Sequence, residues 1–174
     1  LAKITPRYMQ FYAVENLLNR IQPGDETRGL IWHTQGSGKT ITMLFAADRL
    51  LEADWFESPQ ILLLVDTDDL REQTAATLRS IGYSHRFETA ESMEHLYDMI
   101  ETGTSGIIVS TIQMFEEAPE DIQGNENTVI LSDEAHRFME KSLGNRLDNA
   151  FESVHHYGFT GTPVSERVRN TFEH

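Results

Sequence analysis

The sequence predicts an α/β fold of three layers, a mostly parallel sheet with helices on both faces. Residues 61–65, 106–110 and 128–131 are aliphatic runs without polar alternation, as in strands buried on both faces, and stretches with helical spacing lie between them. A second observation is a glycine-rich turn, Gly36-Ser37-Gly38-Lys39-Thr40, at a junction of two patterns. Before it stands a short apolar run (Leu30, Ile31, Trp32) that suits a buried strand, and after it Ile41, Leu44, Phe45 and Leu51 recur at helical spacing. Glycines at such a junction let the backbone N–H groups of Gln35 through Thr40 turn inward around a phosphate, and the following helix adds its positive N-terminal end. The turn therefore reads as a phosphate-binding loop, with Lys39 reaching the β- and γ-phosphates and the Thr40 hydroxyl ligating Mg²⁺. The full loop pattern wants glycine at position 33, where this chain has His33. An ordinary Gly/Ser turn before a helix is the competing reading.

Composition narrows the classes. At 174 residues the chain suits one α/β domain, and its formal charge of -14 makes it no general electrostatic magnet for nucleic acid. Any DNA contact must be local. Lysine occurs only as Lys3, Lys39 and Lys141, and such acidity with arginine favoured suits a soluble surface. The absence of Cys excludes disulfides and thiolate zinc sites and is compatible with a reducing cytoplasm, the compartment expected here. No aliphatic run is long enough to span a bilayer, so no membrane partner is expected. The first residue is not Met and the last motif lies close to the end, so the chain is expected to be a fragment of something larger.

In chain order, Thr5-Pro6 opens a helix with Phe11, Val14, Leu18 and Ile21 on one face, and Pro23-Gly24 closes it. Gln10 lies at its start. An amide that donates and accepts at once matches the N7 and N6 edge of adenine, with Tyr8 or Phe11 as stacking partners and Arg7 as a second contact. A surface Gln on an amphipathic helix is the plain alternative. Asp66-Thr67-Asp68 leads into a helix with Leu70, Thr74, Leu78 and Ile81 at core spacing, a short strand falls near 85–88, and 91–100 is helical again through Met93, Leu96, Tyr97 and Ile100. Ser110, Thr111 and Gln113 stand at the C-terminal end of a strand, where open α/β sheets hold ligands. The run 128–131 leads directly into Ser132-Asp133-Glu134-Ala135-His136. There Asp133 can hold Mg²⁺ and Glu134 can polarise the attacking water, which supplies what hydrolysis of a Mg-nucleotide still lacks. The last strand, 154–159, ends in Thr160-Gly161-Thr162-Pro163. It is expected between the strand ending near Trp32 and the one ending near Ser132, so that Thr160 or Thr162 reaches the γ-phosphate. His155 and His156, adjacent on that strand, point to opposite faces and make a poor zinc site with His136.

Taken together, Tyr8-Met9-Gln10, residues 33–40, Leu64-Val65-Asp66 with Gln73, Ser110-Thr111-Ile112-Gln113, residues 133–136 and residues 158–163 resemble the first motor lobe of superfamily 2 helicases. More narrowly, His33-Thr34-Gln35-Gly36-Ser37-Gly38-Lys39-Thr40, Asp133-Glu134-Ala135-His136-Arg137 and Gly158-Phe159-Thr160-Gly161-Thr162-Pro163 resemble the motor (R) subunit of type I restriction enzymes, with His33 as that family's own loop variant. The resemblance implies a single RecA-like P-loop NTPase lobe over residues 1–174, whose parent hydrolyses ATP to pull double-stranded DNA past itself before cleaving it. By the same resemblance, Gln10 with Arg7 would recognise adenine. Gln35, Gly36, Ser37, Gly38, Lys39 and Thr40 would bind ATP phosphates and Mg²⁺, and Asp133 and Glu134 would serve hydrolysis with Lys39. Ser110 and Thr111 would touch DNA, while His136, Thr160, Gly161 and Thr162 would couple nucleotide state to a second RecA-like lobe. That lobe and a nuclease domain are expected outside this stretch, and the specificity and methyltransferase subunits are the implied partners. Thr67 and Met114 stand where the family often carries Arg and Lys, which removes positive charge from the DNA-facing motifs. Two other readings stay open: a different superfamily 2 DNA or RNA helicase lobe, and a non-catalytic nucleotide-binding module.

Overall fold

The computed structural model describes residues 6–22, 27–33, 36–115, 127–133 and 154–161. Helices α1 (Tyr8–Ile21), α2 (Lys39–Leu51), α3 (Asp68–Ser80) and α4 (Met93–Glu101) alternate with strands β1 (Arg28–Trp32), β2 (Gln60–Val65), β3 (Phe87–Thr89), β4 (Gly106–Thr111), β5 (Thr128–Asp133) and β6 (His155–Thr160), and a 3₁₀ turn, Ile112–Phe115, follows β4. The six strands form one sheet in the order β1-β6-β5-β2-β4-β3. Every pairing is parallel. The last strand in sequence thus lies between the loop-bearing strand β1 and the acidic strand β5, as expected.

The aliphatic runs are buried as read: every residue of β2, β4 and β5 is inaccessible. Side chains alternate between the two faces of the sheet. Ile61, Leu63, Ile107, Val109, Val129, Leu131, Tyr157 and Phe159 pack under α1, α2 and α3. Leu62, Leu64, Ile108 and Ile130 face the other way, against Leu96, Tyr97, Met99 and Ile100 of α4. Helix starts follow capping chemistry: Thr67 accepts from the Leu70 N–H ahead of α3, and Ser92 from the His95 N–H ahead of α4.

Three readings need correction. Strand β1 is not buried. It forms the sheet's edge with β6 as its neighbour, so Trp32 is 64% exposed despite the apolar run. In α2 Leu44 is buried as read, with Met43, Ala46, Ala47 and Leu50, while Ile41, Phe45 and Leu51 stay half-buried at the margins. Phe45 instead lies to the side, where it meets the Phe11 ring of α1 with centroids 6.4 Å apart. Phe11 itself is partly exposed, and Leu17 takes the inward place on α1 beside Val14, Leu18 and Ile21.

One half-buried histidine gives the fold a pH dependence. The His156 ring lies 3.0 Å from the Ser132 hydroxyl, and burial, with Arg28 adding repulsion, pushes its pKa down to about 4 from 6.5. Because the folded value lies below the unfolded one, the neutral ring's contribution is complete above pH 6.5 and disappears as pH falls toward 4. Linkage puts the loss at about 2 kcal/mol by pH 5. Urea unfolding at pH 8 and pH 5 checks this, and His156→Gln should flatten the difference.

Candidate nucleotide site

The C-terminal ends of β1, β6 and β5 converge at one edge of the sheet. Register aligns Ile31 and Asp133 on either side of Phe159, with Trp32 beside Thr160. Beyond Trp32 the chain leaves the sheet, and the His33 N–H donates to the Thr160 carbonyl at 2.8 Å, which ties the loop's root to the tip of β6. The loop then needs two residues at positive φ, Gly36 at 77° and Gly38 at 87°. Gly38 is the residue before α2, and a Cβ there would lie 2.7 Å from the Gln10 amide nitrogen, so glycine is required on two counts.

Lys39 opens α2, and its Nζ lies 3.2 Å from Oδ1 of Asp133, with both side chains nearly inaccessible. This contact joins the two motifs on which the nucleotide reading depends, in a place where low exposure makes charge interactions strong. Thr40 follows, half-buried on the first turn of the same helix. A hydroxyl and one buried carboxylate fit Mg²⁺ of the kind that arrives with phosphates, since such a site draws only one or two ligands from protein. Among the described residues no cluster of three His, Asp or Glu forms a self-sufficient metal cage.

Gln10 is buried, not a surface residue. Its Oε1 accepts the Arg7 N–H at 2.8 Å, and its Nε2 donates to the carbonyls of Ser37 and Gly38, each at 3.2 Å. Both amide protons are thus committed to the loop, so paired donor and acceptor contacts to adenine require the amide to release a loop carbonyl. Arg7 is exposed at the start of α1, beside a groove of about 910 Å³ between α1 and β1 that Gln10, Trp32, His33 and Ser37 also line.

The remaining candidates are distributed as follows. Thr160 is buried at the tip of β6 and Gly161 follows it, half-exposed. Ser110 and Thr111 end β4 on the same sheet edge, but β2 separates them from β5 and both are buried, with the Ser110 hydroxyl 3.2 Å from the Met114 sulfur. Gln35, Glu134, His136 and Thr162 lie outside the described residues.

One side chain was not singled out from sequence as part of the site. His33 is buried, with Nδ1 2.6 Å from the Ser37 hydroxyl and Nε2 3.5 Å from the hydroxyl of Thr42. Burial, then the nearby Lys39 charge, holds its pKa below the ordinary histidine value, so the ring is neutral at pH 7. The available signal was its place inside the loop, where the general pattern has no side chain.

The sequence profile of the SWI2/SNF2 ATPase family matches residues 9–174. Over 183 residues the chain is 34% identical to a Methanocaldococcus jannaschii protein named as the MjaIXP type I restriction enzyme endonuclease subunit, a match covering 98% of this chain and 17% of that protein. It is 31% identical over 191 residues to the HindI type I restriction enzyme endonuclease subunit of Haemophilus influenzae, covering 94% of this chain and 18% of that one. The chain therefore spans less than a fifth of these relatives' length. Among solved structures, the Sulfolobus solfataricus SWI2/SNF2 ATPase core in complex with double-stranded DNA superposes with a TM-score of 0.69 at 15% identity, covering 98% of this chain and 35% of that one. That likeness establishes the fold.

Proposed function

This chain belongs to the SWI2/SNF2 ATPase family, and from that premise we propose that it is the ATP-binding first motor lobe of a type I restriction enzyme's endonuclease subunit. In this reading ATP hydrolysis at the loop drives translocation along double-stranded DNA before cleavage elsewhere in the parent protein. The observation that carries it is the buried Lys39–Asp133 contact, 3.2 Å across the ends of α2 and β5 with the tip of β6 between them. A decayed, non-catalytic module would have no reason to retain that pair with the positive-φ glycines intact.

The chain's own residues divide the work by position. Backbone N–H groups of the loop and the start of α2 receive the phosphates, and Lys39 exchanges Asp133 for phosphate oxygens when they arrive. The Thr40 hydroxyl and the Asp133 carboxylate would hold Mg²⁺, which supplies neutralisation of phosphate charge. Glu134, next along from Asp133, is assigned the task of orienting water. Arg7 and Gln10 line the α1–β1 groove, which is assigned to the base in this reading. Contacts to DNA, to a second RecA-like lobe and to specificity and methyltransferase subunits belong to the same proposal, which the relatives named as type I restriction enzyme endonuclease subunits support.

Mg·ATP at a hundredfold its dissociation constant should stabilise the chain by about 2.7 kcal/mol. Lys39→Ala should lose most of that shift. Thermal melts of both proteins with and without Mg·ATP test it, and equal responses would remove the phosphate-loop assignment.

A further inference from the structure

We propose that His33 is a positioning residue of the phosphate loop, an internal strut that holds Ser37 and the first turn of α2 in the geometry that receives a triphosphate. The inference rests on the nucleotide-site reading above and extends it to a residue that occupies a glycine position of the loop pattern.

The geometry is closed on all sides. The His33 backbone is fixed by its N–H bond of 2.8 Å to Thr160, so the ring starts from the tip of β6. One ring nitrogen reaches forward 2.6 Å to the Ser37 hydroxyl, and the other approaches the Thr42 hydroxyl at 3.5 Å. The Thr42 hydroxyl in turn donates to the Gly38 carbonyl at 3.2 Å, the same oxygen that receives the Gln10 amide. A neutral imidazole has one proton, and one arrangement satisfies every group. Ser37 donates to Nδ1, Nε2–H donates to Thr42, and Thr42 donates to Gly38. The relay runs from the loop through the ring to the carbonyl that begins α2, and its members are buried or half-buried.

A side chain here has a consequence that glycine would not have. An imidazole bonded to Ser37 restricts that residue before a ligand arrives, and restricting a binding group in its bound geometry reduces the entropy lost on binding. Burial, and then the positive charge of Lys39 nearby, favours the neutral ring that this relay requires.

The experiment is equilibrium binding of a Mg·ATP analogue with a non-hydrolysable β–γ bond to the intact chain, with His33→Ala, His33→Gly and His33→Asn, and Lys39→Ala as reference. Ala and Gly should each weaken binding about tenfold, the scale of one or two lost hydrogen bonds. Asn, whose amide can take the Ser37 bond, should recover most of the affinity. A merely space-filling role would not produce that recovery. In the wild type, ring ¹⁵N shifts should report the Nε2–H tautomer. If Ala or Gly binds as tightly as wild type while Lys39→Ala does not, the strut is overturned and the nucleotide site stands. Failure of Asn to rescue, or the opposite tautomer, also overturns it. If wild type itself does not bind, the nucleotide reading falls and the strut with it.

Discussion

Steady-state ATPase of residues 1–174 should fall about 10³- to 10⁵-fold below that of a chain extended through a second RecA-like lobe, with duplex DNA unable to restore it. The expectation follows from which charges the described site contains. Lys39 enters the site from the start of α2, and its 3.2 Å contact with Asp133 shows how closely the loop and β5 approach each other. Arg7 lines the α1–β1 groove from the N-terminal cap of α1. Charge that develops as the γ-phosphoryl group leaves needs a cation on the opposite side, and a supplied arginine is worth that factor in related phosphoryl transfers. Binding should be retained while turnover is lost, so the melts proposed above and the rate assay should separate. Equal rates for the short and extended chains would make one lobe sufficient and overturn the two-lobe mechanism.

Phe159→Ala should destabilise the fold by about 3–5 kcal/mol, the cost of emptying a fully enclosed aromatic site. Phe159 is completely buried, and its strand has neighbours on both sides, Ile31 of β1 and Asp133 of β5. Little can collapse into the space, because the layer beneath α1 and α2 is built on the sheet at that point. Phe159→Leu should cost much less, since it refills most of the volume. Urea unfolding of the three proteins decides it, and a loss under 1 kcal/mol for alanine would mean that β6 is not the closed interior strand described here.

Much of this architecture was legible because it is written locally. The runs 61–65, 106–110 and 128–131 declare themselves as strands covered on both faces, and all three proved inaccessible. The position of β6 followed from chemistry, since a polar tip between the loop and Asp133 needs its strand there. What escaped was decided by distant partners. Trp32 sits in an apolar run yet is exposed, because edge or interior depends on neighbours that the run does not encode. Gln10 reads as a free amide with an adenine-like pattern, but its bonds go to Ser37 and Gly38 on another element. His33 shows in sequence only that glycine is absent; that its ring bridges Ser37 and Thr42 depends on how the loop folds back over it.

The order of the strands also bears on when the site comes into being. Strand β1 has β6 as its sheet neighbour, and Arg28 pairs with His156, almost the whole chain away. Strands β2, β4 and β5 can assemble from segments already synthesised, but the loop-bearing strand has no sheet neighbour until β6 is made. Closing so long a loop comes late, because its entropic cost must be met before the contacts reward it. The loop residues therefore stay without that contact until β6 is made, and a nascent chain lacking β6 should show a protected central sheet with β1 still open to hydrogen exchange. The Lys39–Asp133 contact therefore depends on β6: a chain lacking residues 155–160 retains both side chains but loses the strand that sets β1 beside β5.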